Sequence, residues 1–87
     1  MSKPKMISVV LQDGAETELK GILGPWLRSN EFASAYVNCL AIEPNGPYFL
    51  MKLQVPDTML EMEVQIPHPY VKGTLCAADL RKLGFGE

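Results

Sequence analysis

From Leu60 to Ile66 apolar and polar side chains alternate without a break: Leu60, Met62, Val64 and Ile66 on one side, Glu61, Glu63 and Gln65 on the other. Period two over such a run describes a half-buried β-strand, because successive Cβ atoms point to opposite faces of a sheet. A strand is therefore expected over residues 59–66. It runs into Pro67-His68-Pro69, where proline rings remove ladder donors. The chain restarts at Tyr70-Val71 and bends at Gly73, directly after the lone cation Lys72. A strand, a rigid turn and a second strand would hold that lysine on a firm scaffold, so the 66–75 stretch is the first place to look for function.

The rest of the chain is punctuated in the same way. Met6 to Gln12 alternates with Ile7, Val9 and Leu11 in phase and is rich in β-branched residues, which favours a strand. Asp13-Gly14 then supplies a turn pair, so a hairpin is expected, with a return strand over residues 16–23 curved at Gly21. Gly24-Pro25 interrupts it, and Trp26-Leu27-Arg28-Ser29-Asn30 reads as a loop carrying one large aromatic, one guanidinium and one amide. Pro44-Asn45-Gly46-Pro47 is a strong turn signal, and residues 48–55 beyond it have Phe49, Met51, Leu53 and Val55 in phase. With a turn at Pro56-Asp57-Thr58, strands 48–55 and 59–66 form a second hairpin.

Residues 31–43 read two ways. At helical spacing Phe32, Ala35, Tyr36, Cys39 and Leu40 make a stripe, with Ser29 or Asn30 as N-cap. At period two the same residues make a mediocre strand, and local pattern alone slightly favours the helix. Toward the C-terminus, Thr74 is expected to cap a short helix over 77–84 in which Cys76, Leu80 and Leu83 share a side, with Gly84 as its stop.

Totals narrow the function classes. Eighty-seven residues make one domain (residues 1–87), and a domain this small buries a modest fraction of its surface, so oligomerisation is an expected aid to stability. The net charge of −2 argues against nucleic-acid binding by bulk electrostatics. Any phosphate contact must come from a few local cations, repeated by symmetry. Cys39 and Cys76 lack metal-ligand or close disulfide spacing and read as small hydrophobes in a reducing compartment. The apolar runs are too short for a membrane span, and Met-Ser-Lys-Pro-Lys lacks the apolar core of a secretory leader. A cytoplasmic protein is expected.

Catalytic chemistry finds little to work with. His68 is the only histidine, has no carboxylate and nucleophile beside it, and with two distant cysteines falls short of a zinc set. Glu61 and Glu63 share a strand face but read as the polar side of an amphipathic strand. Trp26 reads as a core or interface plug more readily than as a stacking platform. No enzyme, cofactor or metal is expected.

Two segments together bring a family into view. Val10-Leu11-Gln12-Asp13-Gly14, then Gly21, then Trp26 and Asn30, resembles the first Sm motif; Tyr70-Val71-Lys72-Gly73-Thr74-Leu75 resembles the second. The chain is similar, from residue 6 to about 77, to the Sm-like superfamily. That resemblance implies a mainly β fold: a small, strongly bent five-stranded antiparallel barrel of the SH3-like class over 6–76, here followed by the short C-terminal helix. It implies closure into a homo-oligomeric ring of five to seven subunits through edge-strand pairing, with single-stranded RNA bound at loops. Carried over by residue, Asn30 matches the asparagine that contacts a base, and Arg28 occupies the place of the residue that stacks on it. Lys72 matches the cation of the second motif, and Gly73 the glycine that lets the loop close. The resemblance also requires a strand over residues 31–43, and that is the expectation adopted. A protein-interaction module of the same fold without nucleic acid, and an α+β domain with residues 30–42 helical, are the alternatives.

Overall fold

The computed structural model describes residues 6–77. Among these, six strands form two antiparallel three-stranded sheets, with one α-helix and two single 3-10 turns. In chain order they are β1 (Met6–Leu11), α1 (Ala15–Leu23), a 3-10 turn Gly24–Trp26, β2 (Tyr36–Cys39), β3 (Ala41–Glu43), β4 (Phe49–Gln54), β5 (Glu61–Ile66), a 3-10 turn His68–Tyr70, and β6 (Val71–Ala77). One sheet has the order β2-β1-β6, the other β3-β4-β5. Leu40 alone separates β2 from β3, so one bent segment crosses from the first sheet to the second. A strand that changes sheets at a bend makes the corner between two packed layers. The fold is mainly β, as expected, but it is not a closed five-stranded barrel: β5 and β6 each ladder to a single neighbour among the described strands.

The largest departure from the sequence reading is the segment expected as a return strand over 16–23, which is α1. Its burial repeats every fourth residue: Ala15, Leu19 and Leu23 are buried, while Thr17 and Gly21, which a strand would have placed beside Leu19 and Leu23, are exposed. Ala, Glu, Leu and Lys are strong helix formers, and the helix carries Glu16 and Glu18 in its first turn and Lys20 in its last, matching the macrodipole. Gly14 is still essential, but as the left-handed N-cap (φ 88°) of a helix and not as a hairpin corner. Nine residues make a marginal helix in isolation; burial of Leu19 and Leu23, about 1.5–3 kcal/mol each, holds it down.

Residues 36–39 and 41–43 are strands, so the long-range pattern prevails over the helical stripe. Tyr36, Val37 and Cys39 are all buried, so β2 is covered on both faces and shows no clean alternation. Residues 31–35 are not in strand; Phe32, a member of the helical stripe, is 71% exposed.

The core gathers β1 (Val9, Leu11), α1 (Leu19, Leu23), β2 (Val37, Cys39), β4 (Phe49, Met51, Leu53) and β5 (Val64, Ile66). β4 and β5 pair in full register from Phe49↔Ile66 to Gln54↔Glu61. β6 returns beside β1, with Val10↔Gly73 and Leu11↔Val71. Thr74 lies inside β6, opposite Val9, and therefore caps no helix. The expected helix over 77–84 falls, beyond Ala77, outside the described residues.

Candidate functional site

Arg28 is exposed and lies on a short extension of the first sheet. Its backbone N–H donates to the Tyr36 carbonyl at 2.9 Å and its carbonyl accepts from the Tyr36 N–H at 2.8 Å. The turn beyond is closed by Asn30: its Oδ1 accepts from the Phe32 N–H at 2.8 Å and the Ala33 N–H at 2.7 Å, and its own N–H donates to the Ala33 carbonyl at 3.0 Å. A short polar side chain that satisfies backbone donors two and three residues on is the ordinary work of asparagine in a turn. Both the Arg28 strand pairing and the Asn30 turn are local devices that keep residues 27–36 rigid.

Lys72 and Gly73 lie in β6, not in a loop. Because Val10 faces Gly73 and Leu11 faces Val71, Lys72 has no opposite residue on β1 and forms the extra residue of a β-bulge. A bulge bends its strand and re-aims a side chain. Gly73 therefore lies in a kinked ladder and not in a loop, with open space where a Cβ would be, and Lys72 is exposed at the apex of the bulge.

These four positions do not form one cluster within a chain. Arg28, Tyr36, Val10 and Gly73 lie in one row across the sheet. Three strand-to-strand steps put Arg28 and Gly73 about 14 Å apart. Two separated cationic margins are the result, one at Arg28 and one at Lys72.

Arg28 borders an open groove of about 480 Å³ between α1 and the 27–35 segment, walled by Leu27 and Ala35 and edged by Glu16, Lys20, Ser29 and Ser34. The groove contains a second cation, Lys20, that sequence reasoning missed because it lies in the segment expected to be a strand. One Glu16 oxygen, Oε2, is buried without a hydrogen-bond partner. Ser34 Oγ donates to Asp13 Oδ1 at 2.9 Å and ties the groove's rim to the β1–α1 turn.

The remaining singular residues have structural work. Trp26 packs against the core and its Nε1–H donates to the Gln54 carbonyl at 2.8 Å, a plug with its polar tip satisfied. The His68 ring meets Phe49 edge-on, with centroids 6.1 Å apart, and its Nε2 lies 2.7 Å from the Gly46 carbonyl, pinning the 44–47 turn to the Pro67–Tyr70 corner. Tyr70 donates its phenol O–H to Glu18, so the same corner is tied to α1. That bond, then burial and the Glu18 charge, push the Tyr70 hydroxyl above its ordinary pKa. Glu61 and Glu63 point to solvent from β5. Cys39 is buried and Cys76 exposed, both free; burial pushes the Cys39 thiol up to about 12. Among the described residues no three or more His, Cys, Asp or Glu side chains gather as a metal set, and no helix is long and apolar enough to cross a membrane.

The site thus combines exposed cations on rigid backbone with no assembled nucleophile, base or metal set among the described residues. Compared with known proteins, the chain matches no family model, no curated protein and no solved structure.

Proposed function

We propose that this chain is a divergent protein of Sm-like type that assembles with copies of itself through open strand edges and binds single-stranded RNA at the cations those contacts repeat. The observation that carries the reading is the state of β5. Its inward series runs Leu60, Met62, Val64, Ile66, yet only the last two are buried; Leu60 is 66% and Met62 45% exposed, and the outer edge of the strand is unpaired among the described residues. An edge strand that bares both its hydrogen-bonding groups and half of its apolar face is a template for another strand. β6 offers the complementary open edge at the far side of the other sheet. Joining β5 of one chain to β6 of the next is a heterologous contact, which closes into a ring when its rotation allows.

The bent β2–β3 segment that joins the two sheets, and the return of β6 beside β1, are the curved features that support the likeness. RNA binding draws on Arg28, which can stack on a base and donate hydrogen bonds, and on Lys72, whose bulge presents an ammonium to phosphate. Asn30 enters as the residue that shapes the Arg28 loop, and Gly73 as the exposed strand position next to Lys72. The free cysteines fit a reducing, cytoplasmic setting. The second reading, an interaction module without nucleic acid, is favoured by the net charge of −2 and by Glu61 and Glu63 exposed on β5.

Native mass and oligonucleotide binding test the proposal together. Light scattering should give five to seven chains, and fluorescently labelled oligo(U) should bind at low salt, weaken as salt rises, and be lost in Arg28→Ala/Lys72→Ala. A monomer rules out the ring. An oligomer that binds no oligonucleotide at any salt leaves the interaction module.

A further inference from the structure

Arg28 borders a second cavity on its other side. This one, about 300 Å³, lies between the Trp26 corner and the β4–β5 turn and is lined by Trp26, Arg28, Asn38, Gln54 and Asp57 among others. It is at the small end of ligand-sized pockets.

The Asp57 side is unusually well fixed. Asp57 is the only non-glycine residue with positive φ (61°) among those described. Side chains other than glycine, asparagine and aspartate rarely accept that conformation. Five hydrogen bonds hold the turn around it: Val55 N–H donates to the Leu60 carbonyl (2.9 Å), Thr58 N–H and Thr58 Oγ1 both donate to the Val55 carbonyl (3.2 and 3.0 Å), Leu60 N–H donates to Thr58 Oγ1 (3.0 Å), and Gln54 Nε2 donates to the Thr58 carbonyl (2.9 Å). The neighbouring polar groups are therefore engaged with the turn itself. The Asp57 carboxylate makes no hydrogen bond or ion pair with any described residue. In the same lining, the Trp26 ring is anchored at Nε1 and only partly buried, and among the described residues the Arg28 guanidinium makes a single 3.5 Å hydrogen bond, to the Leu27 carbonyl.

An exposed carboxylate carried on a hydrogen-bonded turn, an anchored indole and an under-used guanidinium around one small cavity are complementary to a particular ligand chemistry. A carboxylate only accepts hydrogen bonds, so it selects a ligand edge that presents adjacent donors. Among the four RNA bases, guanine alone places two donors side by side on its pairing edge, N1–H and N2–H. Adenine and cytosine set a donor beside an acceptor, and uracil flanks its one donor with two carbonyls. The indole supplies a stacking wall and Arg28 a cation for the attached phosphate. We infer that this cavity is a guanine-specific nucleotide pocket, with Asp57 reading the base edge, Trp26 stacking on the ring and Arg28 holding phosphate. The inference rests on the nucleic-acid reading above and adds base preference to it.

The chain contains a single tryptophan, so intrinsic fluorescence reports on the cavity wall directly. Titrations of the full chain with GMP, IMP, AMP and UMP are compared with anisotropy of labelled U8 and of the same octamer carrying one central G. GMP should quench Trp26 saturably, and IMP, which lacks the N2 amino group, should bind about tenfold more weakly. The G-containing octamer should bind more tightly than U8. In Asp57→Asn, which keeps a residue suited to positive φ, the preference for G should vanish while U8 affinity stays. Equal binding of G and U octamers, or a preference that survives in Asp57→Asn, overturns the pocket and leaves RNA binding intact. Quenching by GMP without octamer binding supports the pocket for a free nucleotide and removes the RNA reading. Absence of both removes both. The GMP against IMP comparison in the unmodified chain stands even if the variant does not fold.

Discussion

Two cysteines in one short chain face opposite chemical conditions. Cys39 ends β2 with no exposure, and burial raises its thiol to about 12; Cys76 is exposed on β6. The thiolate is the reactive species, so iodoacetamide at pH 8 should label one cysteine in the native protein and two in denaturant, with the native label mapping to Cys76. Equal labelling of both would show that β2 is not buried. The sign of the associated pH effect follows from the direction of the shift. A folded-state pKa raised above the unfolded 9.0 means the native state binds the proton more tightly. That contribution is complete below pH 9 and is lost as pH rises toward 12. Tyr70 acts in the same direction, its contribution complete below the ordinary phenol value of 10.0 and falling above it. Thermal melts between pH 8 and 11 should show a falling midpoint, and Tyr70→Phe should flatten part of the decline.

At the level of elements, the sheet was far more legible than the helix. β1, β4 and β5 could be read to within a residue or two because each spaces its large apolar residues two apart, a period that shows in the sequence even in β1, where Ser8 and Val9 are both fully buried. α1 could not, since an Asp-Gly pair suits both a hairpin turn and a left-handed N-cap, and Leu19 and Leu23 are spaced four apart, which fits either period. β2 was obscured by being buried on both sides. Of the candidate site, Arg28 and Lys72 were identifiable as exposed cations on fixed backbone, whereas the Lys72 bulge depends on register, and Lys20 and Asp57 join cavities through tertiary packing alone. Gly21 separates the two readings of residues 15–23. It is exposed in α1, and a Cβ added there meets nothing within 4 Å. Gly21→Ala should therefore stabilise the protein by up to about 1 kcal/mol, read as a higher urea midpoint with unchanged slope. Leu19→Ala, from the buried side of the same helix, should cost about 2–5 kcal/mol. Loss of stability in Gly21→Ala would show that position 21 does not lie on an open helical face.

For the molecule as a whole, the decisive property is the exposed end of β5. Met59, just before the strand, is 92% exposed and adds a third bare apolar side chain to Leu60 and Met62. Three large apolar side chains in the open, beside an unpaired edge, need a cover if a small domain is to stay in solution without aggregating. Natural edges are commonly blunted by lysine, which suggests the test. Met62 faces Leu53 in the β4–β5 ladder and is nearly half exposed, so Met62→Lys can carry its ammonium outward along the apolar stem while leaving the buried pair Val64 and Ile66 in place. Circular dichroism and the melting transition should stay those of a folded β protein. Light scattering should then show the assembly collapsing to single chains, and a reverse charge on the partnering edge, Leu75→Glu in β6, should restore association when the two variants are mixed. Retention of the full oligomer by Met62→Lys would mean that the chains meet through some other surface, and the open strand edges would then require a different explanation.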